Sequence, residues 1–425
     1  MEGLAIPDRR QIHVVGGGTI EPVREHLALS ARAYGKTARR LAELCGTYWS
    51  GMDVNLHLTK MADPSSNLET SEDLRGLAHD ITTDFKTKVV FWNPAIADFR
   101  GEVGDVPSGM HADRLKTANG EQTMRLIPND KLVTMFRRDS VDGMKPRKDI
   151  FAVGFKTTTG ATPEEQYSAG LRLVKNASLN LVLANDTVTR NNMVVTPEEA
   201  PYHETTDREL ALRGLLEMAY LRSQLSFTES TVVAGEPVPW DDEQVYPALR
   251  EVVNYCIAAG AYKPFLGVTA GHFAAKIGDT EFLTSRRKTN FNNLPTTGLV
   301  KVVTDGPDKV VAIGGKPSVG GQSQRIVFEQ HPEKDCIVHF HCPVKPGSDI
   351  ATVSQREFEC GSHECGENTS RGLRSTDDGE IEAVFLDKHG PNIVFNHNVD
   401  PKKVIAFIEA NFDLSAKTGG YVPKG

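Results

Sequence analysis

The sequence predicts an α/β protein in two parts: residues 1–232 as a doubly wound, mostly parallel sheet, and residues 233–425 as a second unit with an antiparallel sheet. Three observations predict this. An apolar run ends in a glycine turn and leads into a helix; further apolar runs alternate with helical stretches; and a turn-rich break is followed by short strands.

The first strand is Ile12-His13-Val14-Val15, which stops at Gly16-Gly17-Gly18-Thr19. Apolar residues at helical spacing (Ala38, Leu41, Ala42, Cys45) predict a helix over 34–45. Strand, glycine turn and helix together open a doubly wound sheet. Strands are then expected at 54–58, 88–92, 150–155 and 179–183. The helical stretch 163–175 before the last of these fits a crossover between parallel strands. A helix over 207–224 closes the unit, and the acidic turn run Gly235-Glu236-Pro237 through Asp242 marks the boundary. The remainder reads as a helix at 243–259, strands at 281–284, 299–303, 309–313, 336–341 and 383–386, and a helix at 401–411. That order fits α+β packing, or α/β with an antiparallel sheet.

Length and composition set limits. At 425 residues the chain holds two cores of roughly 200 residues each. A formal charge of −8 and a pI near 5.9 argue against nucleic-acid or anionic-membrane partners, which require clustered positive potential. Six dispersed cysteines do not form a disulfide framework. The Met1-Glu2-Gly3-Leu4 start lacks the basic and apolar regions of a leader, and no run of apolar residues is long enough to span a bilayer, so the cytosol is expected.

The chemistry-bearing pattern is His339-Phe340-His341. On a strand the two imidazoles share one face, spaced to chelate one ion. A catalytic site takes three protein ligands and leaves one position open, and His389, just after the strand 383–386, is the third candidate. An isolated His-x-His is more often coincidence; the surrounding segments shift that balance. Residues 265–411 resemble class II aldolase/adducin domains in motif order. Thr269-Ala270-Gly271 is similar to the family's phosphate-binding turn, with His272 where the family has Asn. Leu283-Thr284-Ser285 and Lys316-Pro317-Ser318 resemble two further motifs, and Val338-His339-Phe340-His341 and Leu386 to Gly390 resemble the metal-ligand segments. The resemblance implies Zn²⁺ or another divalent transition metal on His339, His341 and His389, with Thr269, Gly271, His272, Ser285, Arg286 and Ser318 toward an anionic substrate. Arg286-Arg287-Lys288 reads equally as a solvated basic loop.

The departure is at Gly320, where the family has its acid/base carboxylate. Glu364 is the replacement expected from the loop after the metal pair, which leaves aldol cleavage, dehydration and decarboxylation all open. The short spacing of the Cys360-x-x-His363-x-Cys365 cluster favours a constrained surface loop over a site of its own.

The N-terminal half resembles phosphopantothenoylcysteine synthetase. Gly17-Gly18-Thr19-Ile20-Glu21-Pro22, Ala33-Tyr34-Gly35-Lys36, Ala97-Asp98-Phe99, Val153-Gly154-Phe155 and Leu179 to Asp186 follow the family's motifs in order. The resemblance implies CTP or ATP with Mg²⁺, held by Gly17, Gly18, Thr19, Gly35, Lys36, Asp98, Phe155, Asn185 and Asp186, with Lys116 on the phosphates. The family's Asn that meets the acyl intermediate falls on Ala31, which disfavours phosphopantothenate as substrate. A dinucleotide site is disfavoured because no acidic residue ends the second strand near Leu58.

Three functions follow: a bifunctional nucleotide-dependent ligase and metal lyase acting on small anionic substrates, a lyase with a nucleotide-sensing first half, or an adducin-like scaffold without chemistry. Both resembled families assemble, so a homo-oligomer, dimer or tetramer, is expected.

Overall fold

The computed structural model describes residues 10–306 and 309–424, so the Met1–Leu4 start lies outside the described residues. The chain forms two compact units that interleave in sequence. The first holds the described residues up to Gly160 with Ala169–Val195 and His203–Ser223; the second holds Ala161–Ser168, Thr196–Tyr202 and Gln224 onward. A single cut at 232 would keep together segments that cluster apart.

The first unit is built on a seven-stranded sheet. Its elements are β1 (Gln11–Gly18), α1 (Lys36–Tyr48), β2 (Asp53–Leu58), α2 (Ser71–Thr83), β3 (Thr87–Ala95), β4 (Phe151–Thr158), α3 (Pro163–Ala177, in this unit from Ala169), β5 (Leu181–Asp186), β6 (Asn192–Val195), β7 (Pro201–Thr205, in this unit from His203) and α4 (Arg208–Arg222), with sheet order β7-β6-β5-β4-β3-β1-β2. Strands β2, β1, β3, β4 and β5 are parallel, and β6 is antiparallel to β5. The doubly wound expectation therefore holds. Val14, Val15, Phe91, Val153 and Leu183 are fully buried, as befits central parallel strands covered on both faces. Helix α1 packs through Ala38, Leu41, Leu44 and Cys45. Helix α2 was not expected, although Thr70 and Asp73 form a capping box at its start.

The second unit centres on a ten-stranded, mostly antiparallel sheet. Strands β8 (Glu229–Val233), β9 (His272–Lys276), β10 (Glu281–Ser285), β11 (Leu299–Thr304), β12 (Lys309–Ile313), β13 (Cys336–His339), β14 (Ile381–Leu386) and β15 (Gly390–Phe395) lie in the order β8-β12-β11-β10-β9-β13-β15-β14, and Thr352–Val353 and Arg374–Ser375 both pair with β14. Only β8 with β12 and Thr352–Val353 with β14 run parallel among the printed pairs. Among the described residues it also holds a one-turn helix at Leu294–Thr297 and four longer helices: α5 (Pro247–Ala258), α6 (Gln322–Gln330), α7 (His363–Gly372) and α8 (Pro401–Asn411).

Alternation sorts this sheet into two apolar clusters. Phe273, Ala275, Cys336 and Val338 join α5 and α8 on one face, while Ala274, Ile337, Val384 and Val394 join Val327 and Phe328 of α6 on the other. His339 follows Ile337 by two, and His272 precedes Ala274 by two. Both imidazoles therefore lie on the α6 face. No helix among the described residues is long and apolar enough to cross a membrane.

Candidate functional site

Strand register brings the histidines together. β13 pairs with β9 so that His339 faces His272 across the ladder, and with β15 so that His339 faces Asn392. The turn from Leu386 to Gly390 then swings His389 back over the end of β13, with His389 N–H donating to Leu386 O at 2.9 Å. His339, His341 and His389 are each buried, and one ring nitrogen from each lies within 4.8 Å of the others. His339 Nδ1 bonds Pro391 O at 2.7 Å, which leaves its Nε2 facing His389 Nε2 at 3.3 Å.

Burial pushes the His339 imidazole down to about 4, against the opposing hydrogen bond to Pro391, so it is neutral near pH 7. A neutral imidazole is what a metal ligand needs. The donor set, one ring nitrogen from each of three buried histidines, fits a divalent transition ion. A second cluster, His331, Glu333 and Glu382, is more exposed and has Lys334 at 3.7 Å from Glu382; it reads as an ion-pair network.

Three further groups adjoin the triad. Cys360 Sγ is 3.3 Å from His389 Nε2, Glu199 Oε2 is 3.9 Å from His341 Nδ1, and the His272 ring lies 4.8 Å from that of His339. His272 Nδ1 is buried without a hydrogen-bond partner among the described residues, and burial followed by its neighbour His339 holds its pKa well below the usual range. Sequence reasoning included His272 but gave no role to Glu199. It read the Cys360–Cys365 cluster as a surface loop; instead Cys365 is buried and Cys360 half-buried at the start of α7. The adjacent Glu198-Glu199 pair was the available signal, but nothing local links it to histidines over 140 residues away.

The other expected residues of this unit are placed as follows. Glu364 accepts the Ser226 N–H at 3.0 Å, so its carboxylate serves that backbone. Thr269 bonds Thr289 O and Phe291 N–H, and Ser285 Oγ bonds Ser318 Oγ at 2.9 Å, both buried. Arg286 donates to Thr297 O at 2.9 Å. Gly271, at φ +107, lets β9 approach β13: a Cβ there would lie 2.5 Å from His339 O.

In the first unit the expected residues gather at the carboxyl ends of the parallel strands, Gly17 and Gly18 on β1 and Asn185 and Asp186 on β5. The glycine turn is closely packed: a Cβ on Gly17 would meet Thr59 Oγ1 at 2.1 Å, and one on Gly18 would meet Ala31 O at 2.0 Å. Thr19 Oγ1 accepts Ala97 N–H at 3.0 Å. Gly35, in the left-handed region, precedes α1 without a side-chain cap, so the helix N–H groups beside exposed Lys36 are open to an anion. Phe155 lies half-buried in β4. Asp98 is exposed and paired with Lys131, and Lys116 is exposed ahead of the Thr117–Asn119 turn. The Asp186 carboxylate accepts from Thr158 Oγ1, Gly160 N–H, Val188 N–H and Thr189 N–H at 2.8–3.1 Å, anchoring its own loop.

No family model matches the chain. A 185-residue stretch is 29% identical to the coenzyme A biosynthesis bifunctional protein CoaBC of Thermococcus kodakarensis, spanning 41% of this chain and 41% of that protein. The chain thus covers well under two thirds of that relative's length. Among solved structures, the DNA/pantothenate metabolism flavoprotein from Streptococcus pneumoniae aligns with 49% of this chain and 99% of its own, at 18% identity and TM-score 0.38. L-fuculose 1-phosphate aldolase aligns with 38% of this chain and 81% of its own, at 15% identity and TM-score 0.29.

Proposed function

We propose that this chain is a bifunctional enzyme, a nucleotide-dependent ligase-type unit fused to a metal-dependent lyase of the class II aldolase type. The observation that carries the lyase half is the convergence of three buried ring nitrogens from His339, His341 and His389. Zn²⁺ or a similar ion held there would act as a Lewis acid toward a substrate carbonyl or hydroxyl. The chain's own residues then do the rest: burial keeps His339 neutral, Pro391 O orients its ring, and His272 narrows the pocket on the β9 side. In the first unit, the open N-terminus of α1 with Lys36 would receive the phosphates of CTP or ATP, accompanied by Mg²⁺. Small anionic, phosphorylated substrates suit both halves. A cytosolic homo-oligomer is the assembly this reading expects.

The test is elemental analysis of purified protein together with turnover of small sugar-acid or polyol phosphates. The reading expects stoichiometric divalent metal in wild type, with His339→Ala losing both metal and turnover. Metal-free wild type would sink it and favour a scaffold. One observation favours a second reading, a lyase with a nucleotide-sensing first unit: Asp186 is spent on its own loop. Calorimetry showing CTP or ATP bound but never consumed would select it.

A further inference from the structure

The turn Thr196–Ala200 carries two adjacent carboxylates, and both reach the neighbourhood of the histidines. The turn is closed by Thr196 N–H to Ala200 O and Glu199 N–H to Thr196 O, each at 3.1 Å, and Tyr167 Oη donates to Glu199 O at 2.7 Å. Glu199 sits at φ +67, a left-handed conformation that a non-glycine residue adopts only when its surroundings impose it. Its side chain is 4% exposed, ion-paired with buried Lys417, and its Oε2 lies 3.9 Å from His341 Nδ1. The residue after Lys417 also grips His341, since Thr418 N–H donates to His341 O at 3.1 Å. Glu198 Oε1 accepts the Cys360 N–H at 2.7 Å, and Cys360 Sγ is 3.3 Å from His389 Nε2.

His339 supplies the pattern by which to read this. Its Nδ1 is taken by a backbone carbonyl, which turns Nε2 toward the other histidines. Metal-binding histidines commonly have their second nitrogen fixed in this way by a carbonyl or carboxylate. We infer that Glu199 is the orienting carboxylate of the metal centre, receiving the Nδ1–H of His341 so that Nε2 turns to the ion, with Lys417 holding the carboxylate in place. At 3.9 Å the pair stands just outside hydrogen-bond range, and closing it is part of ion capture. Glu199 is thus a positioning residue, set by a segment that precedes every histidine of the triad. The observation that singles out Glu199 is its Oε2 at 3.9 Å from His341 Nδ1.

The inference rests on the reading of the three histidines as a metal site, and the experiment separates the two. Chelator-stripped full-length protein is titrated with Co²⁺, followed by visible absorption, for wild type, Glu199→Gln, Glu199→Asp and the double variant Glu199→Gln/Lys417→Met. The double variant removes both charges of the Glu199–Lys417 pair together, and its folding is checked by circular dichroism. Glu199→Gln and the double variant are expected to bind Co²⁺ on the order of 10–100-fold more weakly, with Glu199→Asp recovering part of the loss. Wild-type affinity in a folded double variant would overturn the inference while leaving the metal site standing. Wild type that takes up no Co²⁺ would overturn both.

Discussion

Replacing Gly390 by alanine should dismantle the proposed metal centre without touching any of its three histidines. Gly390 follows His389 directly and, at φ +149, passes against the segment that carries His339 at the end of β13 and His341 just beyond it. An alanine Cβ there would lie 2.1 Å from Phe340 O and 3.2 Å from His341 Cα, where ordinary contact begins at 3.4 Å. Since both obstacles are backbone, the two segments must part by about 1.3 Å, at a stability cost of about 1–3 kcal/mol. Ligand sets tolerate about 0.2 Å, so the His339–His389 nitrogen spacing of 3.3 Å would open well beyond what one ion can bridge. Co²⁺ titration should therefore show at least a tenfold weaker affinity in Gly390→Ala, with the far-ultraviolet circular dichroism of wild type. Gly379→Ala is the control: it also has positive φ but nothing within 4 Å, so it tests the backbone strain alone. Unchanged Co²⁺ affinity in Gly390→Ala would refute the argument that this close approach sets the third ligand.

Further outcomes follow from the first unit. Burial, and then the neighbouring His57, depress His13 to about 4, so its neutral form is favoured in the fold; stability is complete above the unfolded value near 6.5 and falls as the pH drops toward 4. His13 alone should contribute a loss of about 2 kcal/mol between about pH 7.5 and 5 in urea unfolding followed by tryptophan fluorescence, and His13→Gln should lower the measured slope by that amount. Asp186→Ala strands three backbone N–H groups and should cost about 1–3 kcal/mol by urea unfolding at neutral pH; a wild-type midpoint would show that the loop is not held by this carboxylate. Lys36→Ala should weaken Mg²⁺·CTP or Mg²⁺·ATP binding about tenfold in calorimetry, whereas equal affinity would remove α1 from the nucleotide site.

Much of the architecture was legible because the pattern was local. The expected strands at 12–15, 88–92 and 179–183 fall on β1, β3 and β5, and the helices expected at 163–175 and 401–411 are found at Pro163–Ala177 and Pro401–Asn411. Helix α2 escaped because its buried face is thin, only Leu74, Ala78, Ile81 and Thr82, although its capping box was written in Thr70 to Asp73. His339 and His341 were paired on the expectation of one strand over 336–341; β13 ends at His339 and His341 lies just beyond it, yet the two converge with His389, which was picked out by its place after a strand. Glu199, Lys417 and Cys360 were not, since what makes them neighbours of the histidines is long-range packing rather than spacing.

The interleaving of the two units has a practical and an evolutionary edge. A gene fragment beginning at 233 would carry all three histidines yet lack Tyr167, Glu198 and Glu199, so it would arrive with an intact ligand list and an unsupported His341. Neither half can be lifted out by one crossover. A fusion first joined end to end would, in this arrangement, have become a single heritable piece.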